Sequence, residues 1–283
     1  MLSYKFLLDL ALILLSTKVL GLITRKFQMP QVVGALLAGL ILGPAMLNIL
    51  SETDFIIQLS ELGVIVLMFN AGLESDLEEL KKTGKASFII ASLGVIIPLI
   101  GGFAIAHFYA IPELSEGTSG TVFLQNIFIG IILTATSVSI TVETLKEMGK
   151  LNTSAGTAIL GAAIIDDILG IIALTVISSL TDTSVKVGFV LMKIAGFFIF
   201  AIIVGFISYK IFKAWSNYEN RDRRRFIIAS FVFCLLLSYI SEEVFDVADI
   251  TGAFIAGLVL SNIDRKEFRS EERRVGKECI ALC

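Results

Sequence analysis

Histidine and cysteine are nearly missing from this sequence. His107 is the single histidine, and the three cysteines form no Cys-x-x-Cys pair. Neither a disulfide framework nor a Cys/His metal cage is implied, and no cofactor is expected. Cys279 and Cys283 fall in an unusual C-terminal stretch, which leaves Cys234 inside an apolar run. His107 stands near the end of another run, a position that suits a membrane interface better than catalysis. Only 4 prolines punctuate 283 residues, as expected for long helices with few breaks. A leader cleavage site is lacking too. Lys5 precedes the first apolar run but no small-x-small motif follows it, so that run is read as retained. With a formal net charge of −3, nothing points to nucleic acid.

Apolar residues are what the chain has in excess. They make up 55% of it, with a mean hydropathy of +0.87. That exceeds ordinary globular usage and indicates an all-α polytopic membrane protein. Hydrophobic runs cover about 4–23, 31–48, 55–73, 86–110, 122–147, 153–180, 186–213, 225–241 and 249–264, which predicts nine transmembrane helices.

The connections alternate in charge. Arg25 and Lys26 follow the first run, and Glu52 and Asp54 the second. Lys81, Lys82 and Lys85 come next, then Glu113 and Glu116, then Lys146 and Lys150. Asp182 and Lys186 make a mixed connection. The largest basic cluster is Lys210, Lys213, Arg221, Arg223, Arg224 and Arg225, a topology signal that could also touch acidic lipid. Glu242, Glu243, Asp246 and Asp249 follow it, and Arg265 and Lys266 close the ninth run. The positive-inside rule then places the N-terminus outside, and nine helices satisfy that parity.

Gly161–Gly170, reading GAAIIDDILG, is the chemical centre of the sequence. Asp166 and Asp167 lie in the middle of an apolar helix, roughly 20 Å from either end at about 1.5 Å per residue. A carboxylate at that depth costs at least ~3 kcal/mol, and ion or proton binding is the usual reason to keep it. Neighbouring helix positions point about 100° apart, so one carboxylate can face a cavity while the other faces a helix. The fifth run carries TATSVSIT at 134–141, five hydroxyls in eight residues. Such a stretch competes for backbone hydrogen bonds and can unwind beside a cavity. A nine-residue repeat also appears: GALLAGLIL at 34–42 and GAFIAGLVL at 252–260. The copies sit in helices predicted to run in opposite directions, as an inverted-topology repeat requires.

Four stretches together resemble the cation:proton antiporter-2 family, most closely its bacterial sodium/proton exchangers. They are PQVVGALLAGLILGP at 30–44, FNAGLE at 69–74, TATSVSITVETLKE at 134–147 and GAAIIDDILG at 161–170. The resemblance spans residues 4–266 and implies a sodium/proton antiporter-like inverted-repeat fold. In that fold, two crossed broken helices sit in a moving core supported by a dimerisation domain. It implies that Asp166 and Asp167 bind the transported Na⁺ (or Li⁺ or K⁺) and H⁺, and that Thr136 and Ser137 belong to the unwound segment. Asp-Asp resembles the electrogenic exchangers, whereas Kef-type potassium-efflux members carry Gln-Asp and electroneutral relatives Asn-Asp. Oxygen donors of this kind suit a hard cation, and two adjacent acids titrate as a coupled pair. The expected function is secondary active exchange of a monovalent cation for protons by a homodimer in the lipid bilayer. No enzymatic activity is expected: intramembrane aspartyl proteases place their two Asp residues on separate helices. The alternatives are a Kef-type potassium/proton efflux system and a non-transporting membrane sensor.

The family pattern has more helices than these nine, so the domain at 4–266 is expected to be incomplete, without its last helices and their lysine partner for the Asp pair. Arg269–Cys279, RSEERRVGKEC, packs seven charges into eleven residues without hydrophobic period. Its reverse translation matches a common sequencing-adapter read. Residues 269–283 are therefore expected to be a non-native tail. The intact protein is expected to reach ~390 residues, at ~25 residues per further helix and loop.

Overall fold

The computed structural model describes residues 4–109, 122–181, 187–216 and 223–261, and among these there is no strand. The acidic connection at Glu113 and Glu116, the mixed one at Asp182 and Lys186, Arg221, Arg265, Lys266 and the 269–283 stretch lie outside the described residues.

Ten helices follow in order: α1 Lys5–Lys26, α2 Gln31–Leu42, α3 Asp54–Glu74, α4 Leu77–Phe108, α5 Val122–Ile132, α6 Val138–Glu147, α7 Ser154–Thr181, α8 Val187–Ser216, α9 Arg223–Phe245 and α10 Asp249–Ser261. Six of them (α1, α3, α4, α7, α8 and α9) are long and apolar enough to cross a membrane. The other apolar helices, α2, α5 and α10, are shorter. The chain is thus a multi-pass membrane protein.

Two expected boundaries are corrected. The run at 31–48 is helical only to Leu42, because Gly43 turns extended ahead of Pro44. The run at 86–110 starts earlier, at Leu77, where the Asp76 carboxylate caps the helix by accepting from Glu78 N at 2.9 Å. Lys81, Lys82 and Lys85 therefore sit on the first turns of α4 rather than in a connection, and Lys82 pairs with Glu79 at 2.9 Å.

The largest helix–helix interfaces are α3–α10, α4–α7 and α1–α2. One core joins Met68 and Phe69 of α3, Val142 of α6, Leu160 of α7 and Leu237 of α9 with Phe254 of α10. A second gathers Phe197 and Ile194 of α8 around Val247. Outward faces of α1, α4 and α8 expose leucine, isoleucine and phenylalanine, as lipid-facing surfaces do.

The two copies of the nine-residue repeat occupy α2 and α10, and their first glycines do the same job. A Cβ on Gly34 would strike the backbone of Leu20 and Gly21 in α1. A Cβ on Gly252 would strike Leu237 O of α9 at 2.6 Å. Each copy therefore presses against the helix before it through a residue that cannot carry a side chain.

Candidate functional site

Interruption of the fifth run creates the site. α5 ends at Ile132, α6 starts at Val138, and residues 133–137 are not helical. Local hydroxyls account for the break. Thr134 Oγ1 donates to Ile131 O at 2.7 Å and closes off α5. Ser137 Oγ accepts from Ile140 N at 3.4 Å and opens α6 as its N-cap. Hydroxyl side chains that compete for backbone groups inside a helix thus become the ends of two half-helices. The break sets the C-terminal end of α5 and the N-terminal end of α6 five residues apart in the chain.

Asp166 lies midway along α7, held by the tight α4–α7 interface. Ser87 Oγ of α4 donates to Ala158 O of α7 at 3.0 Å, and a Cβ on Gly161 would come within 2.8 Å of the same Oγ. Small residues at Gly161, Ala162 and Ala163 let the two backbones approach. Asp166 is 8% exposed, and its Oδ1 has no hydrogen-bond partner. That oxygen is turned toward Gly94 of α4, where a Cβ would sit 3.8 Å from it. Thr136 in the break, whose Oγ1 donates to Thr134 O at 3.2 Å, lies beside the Asp166 carboxylate. A buried carboxylate oxygen without a donor costs at least ~1 kcal/mol, so it marks a place where a proton or cation belongs.

Thr136 and Asp166 are therefore brought together. Asp167 lies one helix position further round, half-buried, and near enough to feel the charge of Asp166. Ser137 is less intimately placed, because its hydroxyl is engaged in capping α6. Gly94 was not legible as a site residue, since nothing in its local sequence shows that α7 packs there. Among the described residues, no group of three or more His, Cys, Asp or Glu side chains gathers that could hold a metal. The oxygens at hand are two carboxylates and a hydroxyl. Oxygen donors of this kind suit a hard cation.

The sequence profile described as "Sodium/hydrogen exchanger, transmembrane" matches residues 11–280. The chain belongs to the sodium/hydrogen exchanger family. Within the family it is 40% identical over 265 residues to "Probable Na(+)/H(+) antiporter GerT" of Bacillus cereus, covering 92% of this chain and 67% of the relative. It is 36% identical to "Na(+)/H(+)-K(+) antiporter GerN" of the same organism, covering 93% of this chain and 65% of the relative. The fold matches that of the sodium proton antiporter MjNhaP1 from Methanocaldococcus jannaschii at pH 8, with a TM-score of 0.62 and 22% identity, over 96% of this chain and 65% of that one. This exchanger chain thus spans about two thirds of the length of those relatives, 65% to 67%. Its family is one of transporters.

Proposed function

We propose that this exchanger chain carries the ion-binding half of a secondary active antiporter that swaps a monovalent cation, Na⁺, for protons. The observation that carries the proposal is the buried, unpartnered Asp166 Oδ1 beside the Thr136 break, midway along a helix long enough to cross a bilayer. Asp166 and Asp167 are the ion and proton ligands, with Thr136 and Ser137 in the segment that completes their cavity. A cation entering displaces protons from the pair, and the reverse exchange resets it. Two protons moved against one Na⁺ make the cycle electrogenic. The protein acts as a carrier and not an enzyme.

Residues 4–266 form the exchanger domain, in a bacterial inner membrane with the N-terminus outside, and the whole protein works as a homodimer. The name of GerN includes K⁺, which keeps Li⁺ and K⁺ as competing cargo to be assayed beside Na⁺.

The test is cation-driven proton movement in proteoliposomes of the intact protein, with Na⁺, Li⁺ and K⁺ added in turn. Alkalinisation or acidification that follows the imposed Na⁺ gradient, and a membrane potential that follows it, are expected. No response to any of the three cations would overturn the proposal.

A further inference from the structure

α4 carries a proline one turn beyond the residue that faces Asp166. Pro98 lies in the interior of Leu77–Phe108, a helix of 32 residues that is long and apolar enough to cross a membrane. Proline has no N–H, so the helical bond from position 98 back to Gly94 O is not made. Its ring also crowds that carbonyl. One main-chain oxygen thus loses its helical donor at membrane depth, where lipid has none to offer.

That oxygen belongs to the residue opposite the buried carboxylate. A Cβ on Gly94 would sit 3.8 Å from Asp166 Oδ1. Covalent geometry keeps the carbonyl oxygen of a residue about 3 Å from its Cβ position, so the two oxygens are at most ~7 Å apart. Gly94 has no side chain to stand between them, and it is exposed. Asp166 is 8% exposed, and its Oδ1 has no hydrogen-bond partner.

The stretch Gly94–Pro98 is held from both sides. Toward the N-terminus of α4, Ser87 Oγ grips α7 by donating to Ala158 O at 3.0 Å. Toward its C-terminus, a Cβ on Gly102 would come within 2.8 Å of Gly130 Cα in α5, and one on Gly130 would strike Leu99 O. The interrupted turn therefore lies between a clamp to the carboxylate helix and a clamp to the first half of the broken helix.

We infer that Gly94 O is a main-chain ligand of the transported cation, and that Pro98 is the positioning residue that keeps it free. The identity of the cargo rests on the exchanger proposal. Two acceptors that face each other repel unless a positive charge comes between them. A carbonyl oxygen suits a hard cation as a carboxylate oxygen does. With a proton on Asp166 instead, the carboxyl O–H donates to the same carbonyl. Either occupant satisfies both oxygens, so neither is orphaned as one replaces the other. An N–H at position 98 would withdraw Gly94 O from both.

The experiment exchanges a single N–H for an oxygen in the main chain. Three variants of the intact protein are made by cell-free synthesis into liposomes, beside the unaltered one. Pro98→Ala restores the N–H. Lactic acid at position 98, delivered by a chemically acylated suppressor tRNA, has the side chain of alanine but an ester oxygen in place of the N–H. Ile97→Pro combined with Pro98→Ile keeps a proline in α4 but frees Leu93 O, about 100° round the helix. Pro98→Ala is expected to raise the apparent KM for Na⁺ roughly tenfold, on the scale of one lost bond to a charged group, and to change kcat much less. The lactic acid protein should keep the original KM, and the shifted proline should behave as Pro98→Ala does. Thermal stabilisation by Na⁺ in detergent gives a second midpoint that needs no transport, and it should move by the same factor. If Pro98→Ala fails to insert, the shifted proline carries the comparison.

An unchanged KM in Pro98→Ala would overturn the inference. So would equal shifts with alanine and lactic acid, which would trace the effect to the proline ring. An original KM in the shifted-proline protein would do so too, since any bend in α4 would then suffice. Exchange with one common KM in all four proteins removes the ligand and leaves the exchanger proposal standing. Absent exchange, with a Na⁺ stabilisation that Pro98→Ala weakens and lactic acid keeps, refutes the exchanger proposal and retains the ligand. Neither exchange nor stabilisation in the unaltered protein refutes both.

Discussion

Gly72 of α3 and Gly257 of α10 meet backbone to backbone. A Cβ on Gly72 would strike Phe254 O and approach Leu258 N within 2.9 Å, and one on Gly257 would strike Phe69 O and approach Leu73 N within 2.8 Å. The clash is with main chain on both sides, so neither helix can yield by turning a side chain. Gly257→Leu and Gly72→Leu are each expected to destabilise the bundle by about 1–3 kcal/mol or more, the usual cost of overpacking. Gly39 occupies in α2 the repeat position of Gly257 and has nothing within 4 Å. Gly39→Leu should therefore leave the melting temperature of the 283-residue chain in detergent nearly unchanged. Equal losses at Gly39 and Gly257 would refute the asymmetry.

Asp166→Asn and Asp167→Asn are each expected to impair cation-coupled proton movement in the intact protein. The proposed cycle makes Asp167 the more essential ligand and gives Asp166 the extra proton that moves charge, as the family resemblance implies. Asp166→Asn should then reduce the membrane potential generated per Na⁺ more than Asp167→Asn does, while Asp167→Asn should suppress exchange itself. Normal, charge-moving exchange in both variants would remove the pair from the mechanism.

The two residues of the break should respond differently to substitution. Thr136→Leu takes away a hydroxyl beside Asp166 and should reduce transport strongly, with little effect on folding. Ser137→Ala removes the cap of α6 and should cost about 1 kcal/mol of stability, whereas Ser137→Asn or Ser137→Asp should restore it. Ser178→Leu and Ser179→Leu, in the last turns of α7, are the controls. Unaltered transport in Thr136→Leu would mean that the broken segment is only a packing feature.

Much of this was legible in the sequence because hydropathy and hydroxyl content are local properties. The Asp pair in GAAIIDDILG and the break in TATSVSIT both came from residues a few positions apart. The nine-residue repeat was legible as well, since its two copies match directly. Helix ends were less so. Gly43-Pro44 cut the second run short inside an apolar stretch, while Asp76 carried α4 back across Glu78, Glu79 and Lys81, which hydropathy alone rejects. The pairings Gly94 with Asp166, Gly72 with Gly257 and Glu147 with Gln31 join distant parts of the chain. No periodicity within either partner announces them.

The last of those pairings yields a prediction of its own. Pro30 is the N-cap of α2 and has no side-chain acceptor to offer the first N–H groups. The Glu147 carboxylate, 116 residues away, supplies one to Gln31 N. A negative charge at a helix N-terminus adds a favourable interaction with the helix dipole, worth about 0.3–1 kcal/mol at an exposed site. α6 has only modest interfaces with α2, α3 and α7, so this bond is a large part of what ties it to α2. If the core that contains α6 slides against the helices that contain α2, as the family resemblance implies, the bond must break in every cycle. Gln31→Cys with Glu147→Cys should therefore crosslink readily in membranes of the cysteine-replaced protein. The oxidised pair should block exchange, and a reductant should restore it. Glu147→Ala should lower stability by no more than ~1 kcal/mol but shorten the time spent with α6 docked, seen as slower crosslinking between a neighbouring pair, Val32→Cys with Glu143→Cys. Full exchange by the oxidised protein would show that α6 and α2 move as one body.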